Sequence, residues 1–581
     1  MRRLLKKFLT PAVIIFFLAL IIRLGFLVYQ FKFSEAFQSR PYIPTADRRT
    51  YDSIATGFLK GYGFNWYNIQ LAHQPPFYPI FLAFLYSFLG HSYYSYLAVF
   101  LIQAFLSSLG VVFVFLIGKR VFNPLVGIIA ALITSFYWPF ITVTQDLVLE
   151  NLVIFMPLLF MVSLLRIESE NTLSSKIVAG VVMALTTLTK GIFLLVLPLL
   201  VFLWFKLANS TKDSWKTILI IYLVVGSILS LWLGRNFLLF KQPLFSSQSG
   251  ASLWIATHPD YGTYSRKEAR IFFLEQPELN EVEKNTFYAQ AGMENLKKYP
   301  QLYFKRVVKN WQLLFYQQSS ADISVWLAVL TSIGLILALF KKNRRALVLW
   351  LFFILFLSQY ALLFAYPRFR MPLDWILILL AAYAVYFPVR KFISPKLDKY
   401  IKAKDSNWVG LRRLCSIGVS VLGGLFLIKI GLVYLFPKKA ISLPSQAGLS
   451  YLQIYDYQKK HQGNIEPFLE QKVIWIGEVN YLNHNALYPL GSAKHPEENS
   501  KPEYAGFYDT YYLPSTTYST FDLTVNRGKR PGYYGDGVVM VNYKGSLLGE
   551  VENDDMVAVS GKIIGQNSLG QIYVEGYEIY K

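Results

Sequence analysis

Residues able to do chemistry are few in this chain, and they stand out because their surroundings are so apolar. Asp47 lies in the polar stretch Thr45-Ala46-Asp47-Arg48-Arg49-Thr50-Tyr51. Asp146 and Glu150 bound another apolar run, and their i, i+4 spacing predicts that they share one helix face. Lys190 stands between two apolar runs and Arg235 ends a third, while Arg368 and Arg370 sit in Tyr366-Pro367-Arg368-Phe369-Arg370-Met371-Pro372. A carboxylate can take the proton of an attacking hydroxyl. Arginine suits bidentate phosphate contacts, and lysine supplies a point charge. Each residue also has a plainer reading. Asp47 would cap a helix starting at Arg48. Asp146 and Glu150 would be a polar pair inside a helix bundle, and the cations would snorkel to a membrane interface. Tyr51 would pack, and His73 and His258 would be structural rather than substrate contacts.

The elements that must position these groups follow from composition. Of 581 residues, 54% are hydrophobic and only 16% charged, with a mean hydropathy of +0.37. Soluble domains average about 25% charged residues, so a soluble globule of this size would lack its polar cover. The single cysteine, Cys415, excludes an intramolecular disulfide framework and a cysteine zinc site. The net charge of +22 is unevenly placed: residues 438–581 hold 13 Lys+Arg against 16 Asp+Glu, and the remainder 44 against 19. The excess sits in short tracts between apolar runs, at Arg2, Arg3, Lys6 and Lys7, at Lys119 and Arg120, and at Lys206, Lys212 and Lys216. It recurs at Lys341, Lys342, Arg344 and Arg345, and across residues 390–413. That is the positive-inside pattern. It is not a nucleic-acid face, and no nucleic acid partner is expected.

Runs near the length that a spanning helix needs predict a polytopic α-helical membrane protein of about 11 spans, with about 13 as the upper count. Residues 11–31 read as an uncleaved anchor behind a cytoplasmic N-terminus. Threading the chain with every basic tract inside makes residues 1–437 one membrane module with outer loops at 32–93 and 236–320. Asp47, Asp146, Glu150, Lys190, Arg235, Arg368 and Arg370 then gather on the extracytoplasmic face. Ionisable groups near membrane depth are costly and usually functional, so their gathering predicts one site. Residues 438–581 read as an extracytoplasmic β-rich domain, with strands near 473–476, 538–541, 556–564 and 572–579. The stretch from Glu550 to Gly561 resembles an OB-fold strand pair, and small barrels of that kind can bind oligosaccharides. The aromatic stretch 504–521 would stack on sugars or fill a core. The acidic balance of this domain argues against binding an anionic lipid surface.

Several segments together resemble a known family. They are Asp47 with Tyr51, then Gly61-Tyr62-Gly63, His73-Gln74-Pro75-Pro76 and Leu188-Thr189-Lys190-Gly191, followed by Arg235-Asn236, Leu253-Trp254-Ile255 and Arg368-Phe369-Arg370-Met371-Pro372. In this order and on one face, they resemble GT-C membrane glycosyltransferases, and more narrowly the protein O-mannosyltransferase and aminoarabinose-transferase group (glycosyltransferase family 39-like). The resemblance covers about residues 1–389. It implies transfer of a sugar from a polyprenyl-phosphate-linked donor to an acceptor (protein, lipid or glycan) on the extracytoplasmic side of the cell membrane. Asp47 matches the family's catalytic aspartate and would be the general base of an inverting displacement. Lys190, Arg235, Arg368 and Arg370 would meet the lipid phosphate. Asp146 and Glu150 would orient the sugar, bind a divalent ion or assist Asp47; Tyr51, His73 and His258 would support substrate binding. Relatives often carry a second acid or a small polar residue directly after the aspartate. Arg48 and Arg49 stand there instead, which puts a paired-carboxylate metal site in doubt; the question of a divalent metal stays open. Two other classes remain: a transporter or flippase of a lipid-linked intermediate, which predicts internal repeats and broken helices, and a non-catalytic cell-envelope assembly factor.

Overall fold

The computed structural model describes residues 11–33, 47–59, 63–66, 69–70, 72, 74–91, 93–208, 214–259, 281–316, 323–390, 447–448, 466–487, 513–525, 538–544, 556–566 and 572–580. The chain divides into two compact units. The first comprises Met1–Leu59, Leu71–Tyr264 and Asn285–Leu435; the second comprises Lys60–Gln70, Ser265–Lys284 and Phe436–Lys581.

The first unit is helical. Its elements are α1 (Pro11–Phe33), α2 (Asp47–Leu59), α3 (Phe77–Leu89), α4 (Tyr93–Val121), α5 (Pro124–Phe136), α6 (Trp138–Thr142), α7 (Glu150–Glu170) and α8 (Leu173–Thr189). They continue with α9 (Phe193–Leu203), α10 (Ser214–Phe240), α11 (Ser249–Thr257), α12 (Glu281–Lys298), α13 (Pro300–Leu313), α14 (Val325–Phe340), α15 (Arg344–Leu362) and α16 (Asp374–Val389). Among the described residues, six helices are long and apolar enough to cross a membrane, or seven if a bent pair counts as one span; four shorter apolar helices accompany them. The chain is therefore a multi-pass membrane protein. The apolar run over 417–436, which in sequence reads as the last span, lies outside the described residues. Large apolar side chains such as Leu223 and Leu231 of α10 stay exposed, as lipid contact allows. Small residues let helices approach: a Cβ on Gly127 of α5 would come within 2.5 Å of the Phe115 carbonyl of α4.

Two expectations change here. The apolar run over 125–142, which in sequence reads as one span, is bent, because α5 and the segment Trp138–Gln145 meet at 60°. Pro139 has no N–H to donate to the Ser135 carbonyl, so the helical ladder stops there. Fully buried Arg23 of α1 donates from Nη1 to that Ser135 oxygen at 3.4 Å and from Nε to Ser107 Oγ at 2.7 Å. Nor do Asp146 and Glu150 share a helix face. Asp146 is extended (φ −135°, ψ 143°), and α7 begins only at Glu150. Gln103 of α4 holds the stretch open: its Nε2 donates to the carbonyls of Thr144 at 3.1 Å and Asp146 at 2.9 Å.

The described core of the second unit is a sheet of six strands: β1 (Ala447–Gly448), β2 (Lys472–Leu487), β3 (Leu513–Val525), β4 (Val538–Lys544), β5 (Met556–Gln566) and β6 (Ile572–Tyr580). β2 pairs antiparallel with β1, β3 and β5, β3 with β4, and β5 with β6, while β4 and β6 run parallel. Strands β2-β3-β4-β6-β5 thus close into a ring that returns to β2. Alternate residues fill it, among them Val473 and Trp475, Val539 and Val541, Val557 and Val559, and Ile572 and Val574. This is the period-two burial expected of strands. Sequence patterning located β4, β5, β6 and the start of β2. It missed β3, whose run of Ser and Thr lacks a continuous apolar signal.

Candidate active site

Asp47 opens α2, and its carboxylate turns to a side chain far away in sequence. Arg368, in a short 3-10 turn before α16, donates from Nη2 to Asp47 Oδ2 at 3.3 Å. Arg368 Nη1 also lies 4.0 Å from Oε1 of Glu150, a buried residue in the first turn of α7. The side chains of Asp47 and Arg368 are roughly half exposed, so this pair borders open space. Beside it, Arg48 forms a two-point salt bridge with Asp146, with Nη2 to Oδ2 at 2.7 Å. Three carboxylates (Asp47, Asp146, Glu150) therefore meet two guanidiniums (Arg48, Arg368).

Lys190 supplies a third cation. It caps α8 with its backbone N–H on the Thr186 carbonyl. Its ammonium lies over the rings of Phe369 at 5.0 Å and Tyr360 at 5.6 Å, which stack on each other at 4.6 Å. Burial pulls the Lys190 ammonium below the usual lysine range; Glu150 opposes that shift and Arg368 adds to it. Gly191 follows because Phe245 packs against the turn, where a Cβ would stand 2.9 Å from its ring. Tyr51, buried one turn beyond Asp47, packs edge-on against Tyr78 at 5.1 Å. Burial and the nearby Asp47 and Glu150 carboxylates hold its phenol well above the usual tyrosine range.

The other expected residues go elsewhere. Arg370, two positions from Arg368, is fully buried. It binds Asp374 (Nε to Oδ1, 2.7 Å) and the Leu314 carbonyl (2.9 Å), while Tyr137 donates to the same Asp374 at 2.8 Å. Arg370 thus knits α5, α13 and α16 together. Arg235 donates to Asn236 Oδ1 at 2.8 Å and lies over Trp232 and Phe240 at the end of α10. His258 ends α11 beside Trp254, at 4.9 Å between rings. The carbonyls of Ala256, His258 and Pro259 all accept from Arg306 of α13. His73 lies outside the described residues. Among the described residues, no three His, Cys, Asp or Glu side chains group as a metal cage.

Sequence reading passed over Gln103, Tyr360, Asp374 and Arg306. It also passed over a buried cluster behind α2, where Asp52 accepts from Tyr86 at 2.7 Å and Tyr96 at 3.1 Å and contacts His91 Nε2 at 3.1 Å. Asp52, only five residues after Asp47, was the available signal.

Residues 73–232 match the family model of dolichyl-phosphate-mannose-protein mannosyltransferases, which bears out the GT-C resemblance over that segment. No curated protein matches the chain. Among solved structures, it resembles the archaeal oligosaccharyltransferase AglB from Archaeoglobus fulgidus, in complex with an inhibitory peptide and a dolichol-phosphate (13% identity, TM-score 0.41, covering 78% of this chain and 58% of that one). It also resembles the oligosaccharyltransferase of the same organism in complex with Zn and sulfate (13%, TM-score 0.43, 79% and 56%). A third likeness is to ArnT from Cupriavidus metallidurans bound to undecaprenyl phosphate (14%, TM-score 0.29, 65% and 77%). The chain thus spans less than two thirds of the length of either oligosaccharyltransferase structure. At these TM-scores the likenesses transfer no residue roles.

Proposed function

We propose that the chain is an integral membrane glycosyltransferase that moves a sugar from a polyprenyl-phosphate-linked donor to an acceptor hydroxyl. The convergence of Asp47, Glu150 and Arg368, brought from three distant segments to one half-open place, carries this reading. Asp47 takes the acceptor proton as its oxygen bonds to the anomeric carbon. The bond from that carbon to the phosphate oxygen breaks on the opposite side, so configuration inverts and the polyprenyl phosphate leaves as an anion. Arg368 and Lys190 stabilise the charge that gathers on the phosphate. Half-exposed ion pairs are worth about 0–1 kcal/mol, so Arg368 can exchange Asp47 for a phosphate oxygen at little cost, which frees the base as the donor binds. Arg48 and Asp146 fix the start of α2 to the stretch that leads into α7. Tyr51 supports Asp47 from behind. Arg370, sealed against Asp374, positions the helices around the site.

The site faces the extracytoplasmic side of the cell membrane in this reading, with the N-terminus cytoplasmic and residues 438–581 outside. The ring β2-β3-β4-β6-β5, with its parallel β4–β6 pair, supports reading the second unit as an OB-type barrel. Purified protein in liposomes, given a panel of polyprenyl-phosphate sugars, should convert at least one of them to free polyprenyl phosphate plus a glycosylated acceptor, read by mass spectrometry. Movement of intact lipid-linked sugar across the bilayer with no transfer would favour a flippase.

A further inference from the structure

The turn between α14 and α15 places a lysine where its backbone favours glycine. The N–H groups of Lys342 and Asn343 bond back to the carbonyls of Leu339 and Ala338, both at 2.9 Å. This double closure puts Lys342 in the left-handed region, at φ 48°. A residue with a Cβ is less favoured there than glycine.

That turn is fastened to a second basic tract more than two hundred positions away. Asn343 Nδ2 donates to the Val121 carbonyl at 3.0 Å, and Arg345 Nη1 to the Arg120 carbonyl at 3.2 Å. Both arginines then share Glu168 of α7, whose Oε2 lies 3.0 Å from Arg345 Nη2 and 3.3 Å from Arg120 Nε. Trp204 Nε1 holds the other carboxylate oxygen at 3.0 Å. The Glu168 side chain is only 1% exposed. Arg120 and Arg345 therefore meet at a single buried carboxylate, which joins the Lys119-Arg120 tract to the turn that carries Lys341, Lys342 and Arg344. Arg120, Lys341, Lys342 and Arg344 are exposed, and the exposed apolar side chains of Leu339 and Phe340 adjoin the turn.

We propose that this patch binds the phosphate headgroup of an anionic phospholipid. Positive-inside orientation accounts for basic residues in short loops. It does not require that two tracts be locked together through Asn343, Arg345 and Glu168. A convergent excess of cations at a helix-bundle surface is what an anionic headgroup needs. The exposed Leu339 and Phe340 select a lipid over a soluble phosphate, because acyl chains can cover them. The proposal is independent of the transfer reaction.

The full chain in phosphatidylcholine nanodiscs, with and without phosphatidylglycerol, tests it. Phosphatidylglycerol should raise the melting temperature, and native mass spectrometry should find it retained on the protein. Replacing Lys341, Lys342 and Arg344 by glutamine together should abolish most of that rise. Lys342→Gly is the sharper probe. It should raise the melting temperature in pure phosphatidylcholine, by relieving the backbone, while shrinking the gain from phosphatidylglycerol. An undiminished gain in both variants would overturn the proposal. Inorganic phosphate matching the effect of the lipid would overturn it equally, by placing a soluble anion at the patch.

Discussion

The two ends of α7 hold charge in opposite ways. At its start, Glu150 stands 4.0 Å from Arg368, whose other partner, Asp47, is half exposed at 3.3 Å. At its end, Glu168 is buried and takes two arginines and a tryptophan N–H at 3.0–3.3 Å. The same contrast recurs within three residues, between half-exposed Arg368 and Arg370, which is sealed against Asp374. Buried, fully partnered charges fasten helices, because removing one partner strands the other in a low dielectric. Loosely paired charges at an open edge can change partners when a ligand arrives. On this criterion the Asp47 end is the proposed site and the Glu168 end is the staple.

Substitutions that confuse the two ends would break this contrast. Asp47→Asn should lower kcat by about 10²–10⁴-fold, the range of a lost general base, with unchanged thermal unfolding. Arg370→Gln should do the reverse: it strands the Asp374 carboxylate and costs about 3–5 kcal/mol of stability, read as a large fall in melting temperature. Glu168→Gln should cost less, about 1–3 kcal/mol, because its arginines can turn to solvent, and turnover per folded molecule should persist. Arg368→Gln should weaken donor binding by about tenfold, equivalent to about 1.4 kcal/mol, while stability moves by less than about 1 kcal/mol. The smallest and sharpest test is pH. Protonated Lys190 is the form that meets the phosphate, and burial lowers its pKa. Donor affinity should therefore fall as pH rises while still below the ordinary lysine range. Lys190→Arg should carry affinity past that limit, since guanidinium stays charged.

Much of this was legible in the sequence, for reasons specific to each residue. Lys190 and Arg368 stand apart from the short basic tracts between apolar runs, and Asp47 opens a polar segment in an apolar chain. What stayed hidden depends on the path of the backbone. Asp146 and Glu150 have helical spacing, yet Gln103 holds the intervening stretch out of a helix, and no local pattern announces a glutamine two spans away. Arg368 and Arg370 look equivalent in sequence; only packing shows that one reaches Asp47 and the other Asp374. Pro139 did mark the break after α5. Its position in a long apolar run masked that role, and no local pattern shows that Arg23 of the first span meets the freed carbonyl. In the second unit, the alternating Val and Ile residues of β4, β5 and β6 were visible, whereas the run Ser515-Thr516-Thr517 interrupts the apolar signal of β3.

The central claim is that Asp47 acts as base at a site that binds the donor by other means. Its most direct test measures donor binding and sugar transfer in parallel, for the wild-type chain and Asp47→Asn, in the same liposomes with a polyprenyl-phosphate sugar that the wild type turns over. The account predicts unchanged donor affinity and transfer reduced at least about 100-fold in the variant. Transfer at the wild-type rate by Asp47→Asn would contradict it.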